Sequence, residues 1–218
     1  MAPNIKVLLV DDHPLVREGL ANLIRQEADL EICGEAAGEP QALQMIAGVQ
    51  PDVAVVDISL ESGSGLELMK NIKAQYPAVA ILALSMHDES LYAERALRAG
   101  ARGYLMKREA AQKVIQGIRA VLAGQLFVSE RIANLLTERF VDGRSGAASP
   151  VEALSDRELE VFQLLGRGLS TRQIGDQLHV GFKTVQAYCA RIKDKLQLAN
   201  ATELLRAAMQ WNIDHPEK

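Results

Sequence analysis

Five side chains in this sequence suit the chemistry of a phosphoryl group: Asp11, Asp12, Asp57, Ser85 and Lys107. Each stands where a short apolar run stops. Val7-Leu8-Leu9-Val10 runs into Asp11-Asp12, Val53-Ala54-Val55-Val56 into Asp57, Ile81-Leu82-Ala83-Leu84 into Ser85, and Tyr104-Leu105-Met106 into Lys107. Three carboxylates brought together repel one another, so one takes up a proton or a cation neutralises them. All-oxygen ligands favour a hard ion, and magnesium with retained waters fits best. An ammonium, a hydroxyl and backbone amides beside that ion suit phosphoryl oxygens. An aspartate at the same point can act as nucleophile and form an acyl phosphate. Each residue alone has a plain reading: a strand-end aspartate caps or solubilises a loop, and a lysine is solvated. The set, at four run ends, points to a site.

Convergence of these residues requires a particular scaffold. The run Val53 to Val56 has no polar face, as expected of a central parallel strand covered on both sides. Between the runs lie segments with a 3.6-residue apolar rhythm, residues 14–26, 40–47, 65–75, 90–99 and 110–123. The first carries Leu15, Val16, Leu20, Leu23 and Ile24, with Pro14 suited to an opening helical turn. Residues 30–36 read as a more polar edge strand. Strand and helix alternate five times, which predicts an α/β doubly wound, five-stranded parallel sheet. Ligands of such sheets sit at the carboxyl ends of the strands, near the switch in strand order. All five polar residues fall at those ends.

The remainder of the chain is different. Residues 128–140 read as a helix with Ile132, Leu135, Leu136 and Phe140 on one side. The following "DGRSGAASP", residues 142–150, is nearly all small or polar. As a flexible coil it would span about 16 Å. Residues 151–213 carry helical signals only: Ser155 with Glu158 and Ser170 with Gln173 form capping boxes, and Asn200 precedes Glu203. Two helices joined by the short 179–182 stretch, the second basic, suggest a helix-turn-helix. Along residues 182–196, Val185, Cys189, Ile192 and Leu196 form a narrow core stripe. Lys183, Ala187 and Ala190 lie opposite, flanked by Gln186 and Arg191. Small alanines between hydrogen-bonding side chains suit close approach to a DNA groove.

Composition sets the bounds. The chain has 218 residues, 48% of them apolar, ample for one large or two small domains. No run approaches the roughly 18 apolar residues of a membrane span. The opening "MAPNIKVLLVDDH" turns acidic too soon for a signal peptide, so a cytoplasmic protein with no membrane partner is expected. Cys33 and Cys189 lie far apart and read as reduced structural thiols. The formal net charge of −4 does not oppose DNA binding, because the distribution of charge matters more than its sum.

"VLLVDDHPLVREGL", "VAVVDISL", "ILALSMHDE" and "ARGYLMK" resemble the receiver domain of two-component response regulators, over about residues 4 to 125. The resemblance implies a flavodoxin-like receiver with Asp57 as phosphoacceptor. It implies Mg2+ held by Asp12 directly, by Asp11 through water, by Asp57, and by the Ser59 carbonyl. Lys107 and Ser85 would meet phosphoryl oxygens, and the Tyr104 rotamer would follow Ser85. "LSDRELEVFQLLGRGLSTRQIGDQLHVGFKTVQAYCARIKDKL" is similar to the LuxR-type helix-turn-helix of NarL/FixJ regulators, over about residues 151 to 213. By that similarity Lys183, Gln186, Ala187 and Ala190 face base edges. Thr184, Tyr188, Arg191 and Lys195 would contact phosphates or sugars, and Leu204, Leu205 and Ala208 would form a dimer surface.

The implied organisation is a receiver at 1–125, a linker helix and flexible linker at 126–150, and a DNA-binding domain at 151–218. The implied function is transcriptional control. A sensor histidine kinase would phosphorylate Asp57, and the homodimer formed on phosphorylation would bind double-stranded DNA, with RNA polymerase as a further candidate partner. The only catalysis implied is the receiver's own phosphoryl transfer and dephosphorylation. The sequence departs from the family pattern in three places: Glu61 stands where receivers commonly carry proline, the pair Gly181-Phe182 replaces a Ser-Glu-like cap, and Gln186 replaces a frequent lysine. Ser59 and His87 occupy places that in this family tune phosphoryl lifetime. One rival is an aspartate-nucleophile phosphatase on a similar sheet, which would want an acid where Ser59 stands; a second is a DNA-binding protein whose receiver is never phosphorylated and only dimerises, against which all five pocket residues argue.

Overall fold

The computed structural model describes residues 4–60, 63–86, 89–141, 150–178 and 180–215. Glu61, His87 and residues 142–149 of the expected linker therefore lie outside the described residues. The chain divides into two compact units, Met1–Asn134 and Leu135–Lys218.

In the first unit, β1 (Ile5–Val10), β2 (Leu30–Ala36), β3 (Val53–Asp57), β4 (Ala80–Ser85) and β5 (Gly103–Met106) alternate with five helices. These are α1 (Pro14–Ile24), α2 (Glu39–Val49), α3 (Gly65–Gln75), α4 (Glu89–Arg98) and α5 (Lys107–Leu122). The sheet is parallel in the order β2-β1-β3-β4-β5. Every residue of β3 is buried, as its unbroken apolar run requires, whereas β2 lies at an edge and is partly exposed. The strand order reverses between β1 and β3, which pair from Val7 with Val53 to Val10 with Val56. The residues that end these two strands therefore meet at the switch point.

Two boundaries differ from the sequence reading, each for a local reason. Lys107 is the first residue of α5, not the end of a strand: Met106 is extended at φ −65°, ψ 132°, and the helix starts without an intervening loop. The segment after α5 is not yet linker. Phe127 forms a parallel bridge with Gly103, its N–H donating to the Arg102 carbonyl at 3.0 Å and its carbonyl accepting from the Tyr104 N–H at 2.8 Å. Gly103 is needed here, because a Cβ would come within 2.7 Å of a Leu82 methyl and 2.9 Å of a Val121 methyl. The helix α6 (Glu130–Val141) follows at once, with Ser129 Oγ accepting from the Ile132 N–H at 3.2 Å.

The second unit holds a single 3-10 turn (Pro150–Ala153), then α7 (Asp156–Gly166), α8 (Thr171–Gln177), α9 (Phe182–Leu196) and α10 (Ala201–Asp214). Both expected capping boxes form, and Asn200 caps α10 by accepting from the Glu203 N–H at 3.0 Å. Phe162, Ile174, Val185, Ile192, Leu204 and Ala208 are buried in its core. This corrects the expected dimer surface. Leu204 and Ala208 face inward, because α10 crosses α7 so closely that a Cβ on Gly166 would lie 2.4 Å from the Ala208 carbonyl oxygen. Leu205, expected with them, is exposed, and it continues along α10 into exposed Met209 and Ile213.

Candidate functional site

The acid pocket is built from the ends of β1 and β3 and the start of α5. Asp57 and Asp11 are 1% and 2% exposed, so neither carboxylate is solvated by bulk water. The Lys107 ammonium lies between them, 2.7 Å from Asp57 Oδ2 and 2.6 Å from Asp11 Oδ2. The Ser59 N–H donates to Asp57 Oδ1 at 3.3 Å, and the His13 N–H to Asp11 Oδ1 at 2.8 Å. Asp12 sits at the rim, with His13 Nδ1 2.6 Å from its Oδ1. Ligand atoms of Asp11, Asp12, His13 and Asp57 lie within 4.8 Å of one another.

Burial pushes the Asp57 carboxyl up to about 6; the Asp11 charge adds to the shift and the Lys107 ammonium opposes it. Burial alone would lower Lys107, but the Asp57 and Asp11 carboxylates outweigh it and raise the ammonium above its ordinary value. The pocket thus concentrates negative charge that one ammonium does not neutralise. Asp11 Oδ2 is buried and accepts no well-directed hydrogen bond, although the ammonium stands beside it. A carboxylate cluster with such an oxygen fits a hard divalent cation.

Ser85 is fully buried at the end of β4, where it pairs with Met106, one step beyond the Asp57–Leu84 pair. Tyr104 is 3% exposed on β5, opposite Ala83. Two residues that the sequence reading passed over contribute. His13 joins the acid cluster, and its adjacency to Asp11-Asp12 was the available signal. Gly65 opens α3 directly against Asp57: a Cβ there would lie 1.9 Å from the Asp57 carbonyl oxygen. Nothing local in the sequence marks that approach.

On α9, Val185 and Ile192 are buried while Lys183, Thr184, Gln186, Ala187, Ala190 and Arg191 are exposed on one continuous surface. Tyr188 is half-buried under the Arg191 guanidinium, 5.9 Å from its ring centre. Phe182 is exposed in the first turn. Cys189 is half-buried, and burial raises its thiol. Lys195, expected at a phosphate, is committed within its own unit. Its ammonium lies 2.7 Å from Glu158 Oε2 and donates to the Ala153 carbonyl at 3.0 Å.

Residues 7–119 match the response regulator receiver domain, and residues 152–208 match the bacterial regulatory proteins of the LuxR family. The chain is a LuxR-type response regulator. It is 32% identical to the oxygen regulatory protein NreC of Staphylococcus epidermidis, over 96% of this chain and 99% of that one. It is 35% identical to the transcriptional activator protein ExaE of Pseudomonas putida, over 95% and 97%. RcsB from Salmonella enterica, solved bound to a promoter in the presence of a phosphomimetic, shares the fold. The TM-score is 0.66 at 24% identity, over 95% of this chain and 99% of that one. The regulator thus joins a receiver to a LuxR-type DNA-binding domain and acts in transcription regulation. No helix among its described residues is long and apolar enough to cross a membrane.

Proposed function

We propose that this regulator is switched by phosphorylation of Asp57 and that the phosphorylated form binds its DNA site as a homodimer. The observation that carries the reading is the buried Asp57 carboxylate, held between the Lys107 ammonium at 2.7 Å and the Ser59 amide at 3.3 Å. A carboxylate oxygen of Asp57 attacks the phosphorus of a phosphohistidine on a sensor kinase. The new O–P bond forms as the P–N bond breaks, and the histidine keeps the electron pair. Asp11, Asp12, Asp57 and the Ser59 carbonyl would hold Mg2+. When bound, the ion would neutralise charge on the transferring group. Lys107 offers its ammonium to one phosphoryl oxygen and Ser85 its hydroxyl to another. Drawing in Ser85 frees space for Tyr104, and the two arrangements of β4 and β5 become the two states of the switch.

On the output side, Lys183, Gln186, Ala187 and Ala190 are proposed to face base edges in the major groove. Thr184, Tyr188 and Arg191 are proposed to hold the backbone. The stripe Leu205, Met209 and Ile213 supplies the apolar surface for pairing two copies, in place of Leu204 and Ala208. Intact-mass measurement after treatment with a small acyl phosphate and magnesium tests the phosphoacceptor. The parent should gain a phosphoryl mass and Asp57→Ala none; equal labelling of both would overturn the assignment.

A further inference from the structure

We propose that Arg17 is a positioning residue for the acid pocket: it clamps the Asp11 carbonyl and thereby aims the Asp11 carboxylate. The proposal rests on reading that pocket as the cation and phosphoryl site. Asp11 lies in the turn between β1 and α1, and four contacts fix it. Its N–H donates to the Ala36 carbonyl at 3.0 Å, and its Oδ1 accepts from the His13 N–H at 2.8 Å. Its Oδ2 meets Lys107, and its carbonyl accepts from Arg17 Nη1. The cap position of α1 is His13, whose side chain makes no capping bond and instead meets Asp12 Oδ1 at 2.6 Å, and Pro14 follows. Arg17, one turn further on, reaches back along the helix and donates to the Asp11 carbonyl.

The guanidinium is itself aimed. Its Nε lies 3.5 Å from Glu35 Oε2 near the end of β2, and Arg25 Nη2 holds Glu35 Oε1 at 3.1 Å. Arg17 is 19% exposed, so its fork is largely committed to these partners. A partly exposed Arg–Glu pair contributes little to stability, roughly 0–1 kcal/mol. A charge-assisted bond on the backbone of a ligating residue matters in another way. Groups that orient ligands typically change metal affinity about 10–100-fold when lost.

The test uses the full chain with Arg17→Ala, Arg17→Lys and Glu35→Gln. Magnesium affinity is measured by calorimetry, and labelling by a small acyl phosphate is followed as a function of magnesium. Arg17→Ala should weaken magnesium about 10-fold or more, while the labelling rate at saturating magnesium stays near the parent's. Arg17→Lys should recover part of the affinity, since an ammonium can still donate to the carbonyl. Glu35→Gln should lose part of it with Arg17 intact, and it keeps the proposal testable if Arg17→Ala fails to fold. Unchanged magnesium affinity in Arg17→Ala and Glu35→Gln, even with a lower melting temperature, would overturn the role given to Arg17. Absence of magnesium binding in the parent would overturn the reading of the pocket and this proposal with it.

Discussion

Lys195→Met separates a tether from a phosphate contact. In the folded unit the ammonium of Lys195 sits 2.7 Å from Glu158 Oε2 and 3.0 Å from the Ala153 carbonyl oxygen. The Glu158 side chain is 4% exposed and its Oε2 also accepts the Ser155 N–H at 2.8 Å, so the carboxylate closes the cap of α7 and anchors the end of α9 together. Removing Lys195 takes from a buried carboxylate its charged partner and leaves it the bonds to Ser155. The cost of leaving such a group short of a partner is about 1–3 kcal/mol. The lower half of that range is expected, because Lys195 is 39% exposed and its charge is screened. At about 4–8 °C per kcal/mol for a unit of this size, the melting temperature should fall by several degrees. Trp211, the single tryptophan, lies on α10 in the same unit, so its fluorescence reports this transition. The acid limb should change as well. Burial would raise the Glu158 carboxyl, but Lys195 and Ser155 outweigh it and hold it low. The resulting stability is present above the ordinary glutamate value and is lost as pH falls through the lowered one. Lys195→Met should flatten that dependence. In fluorescence anisotropy the variant should bind DNA more weakly with an unchanged salt slope. A slope lower by about one unit with no thermal effect would show a phosphate contact instead, and the tether argument would fail.

Three further outcomes follow from the geometry. The folded Asp57 carboxyl is raised to about 6, so its protonated form stabilises the magnesium-free protein fully below the ordinary aspartate value of 3.8 and loses that effect as pH rises through about 6. Denaturant titrations between those limits should show stability falling with pH in the parent and much less in Asp57→Asn; equal slopes would refute the burial argument. Gly65→Ala would place a Cβ 1.9 Å from the Asp57 carbonyl oxygen, so α3 or Asp57 must shift, and acyl-phosphate labelling should slow at least severalfold while α9 still binds DNA. Gln186→Ala should cost about 1–3 kcal/mol on a selected DNA site and little on scrambled duplex; equal loss on both would remove Gln186 from the groove.

The sheet was legible because its physics is local. An all-apolar run such as Val53 to Val56, short and rich in β-branched valine, reads as a doubly covered strand, and the polar residue ending each run marks the ligand side. The helices of the second unit were legible through their caps, since Ser155–Glu158 and Ser170–Gln173 satisfy orphan N–H groups within four residues. What stayed hidden depends on distant approaches. The edge role of Phe127 needs β5 beside it, and the necessity of Gly65 needs the Asp57 carbonyl. Leu204 and Ala208 were misplaced because helical spacing identifies an apolar face but not which neighbour covers it; α7 does. The Lys195–Glu158 pair was hidden because its partners lie 37 positions apart.

The central claim is that a phosphoryl group on Asp57 controls DNA binding by α9. Its most direct test is the affinity of the full chain for a duplex selected from a random library, measured by anisotropy with and without acyl phosphate and magnesium. The parent should bind about 5–150-fold more tightly once labelled, the usual range of coupling between two sites. Asp57→Ala should bind at the parent's unlabelled affinity under both conditions. Equal affinity of labelled and unlabelled parent, or the same gain in Asp57→Ala, would contradict the account.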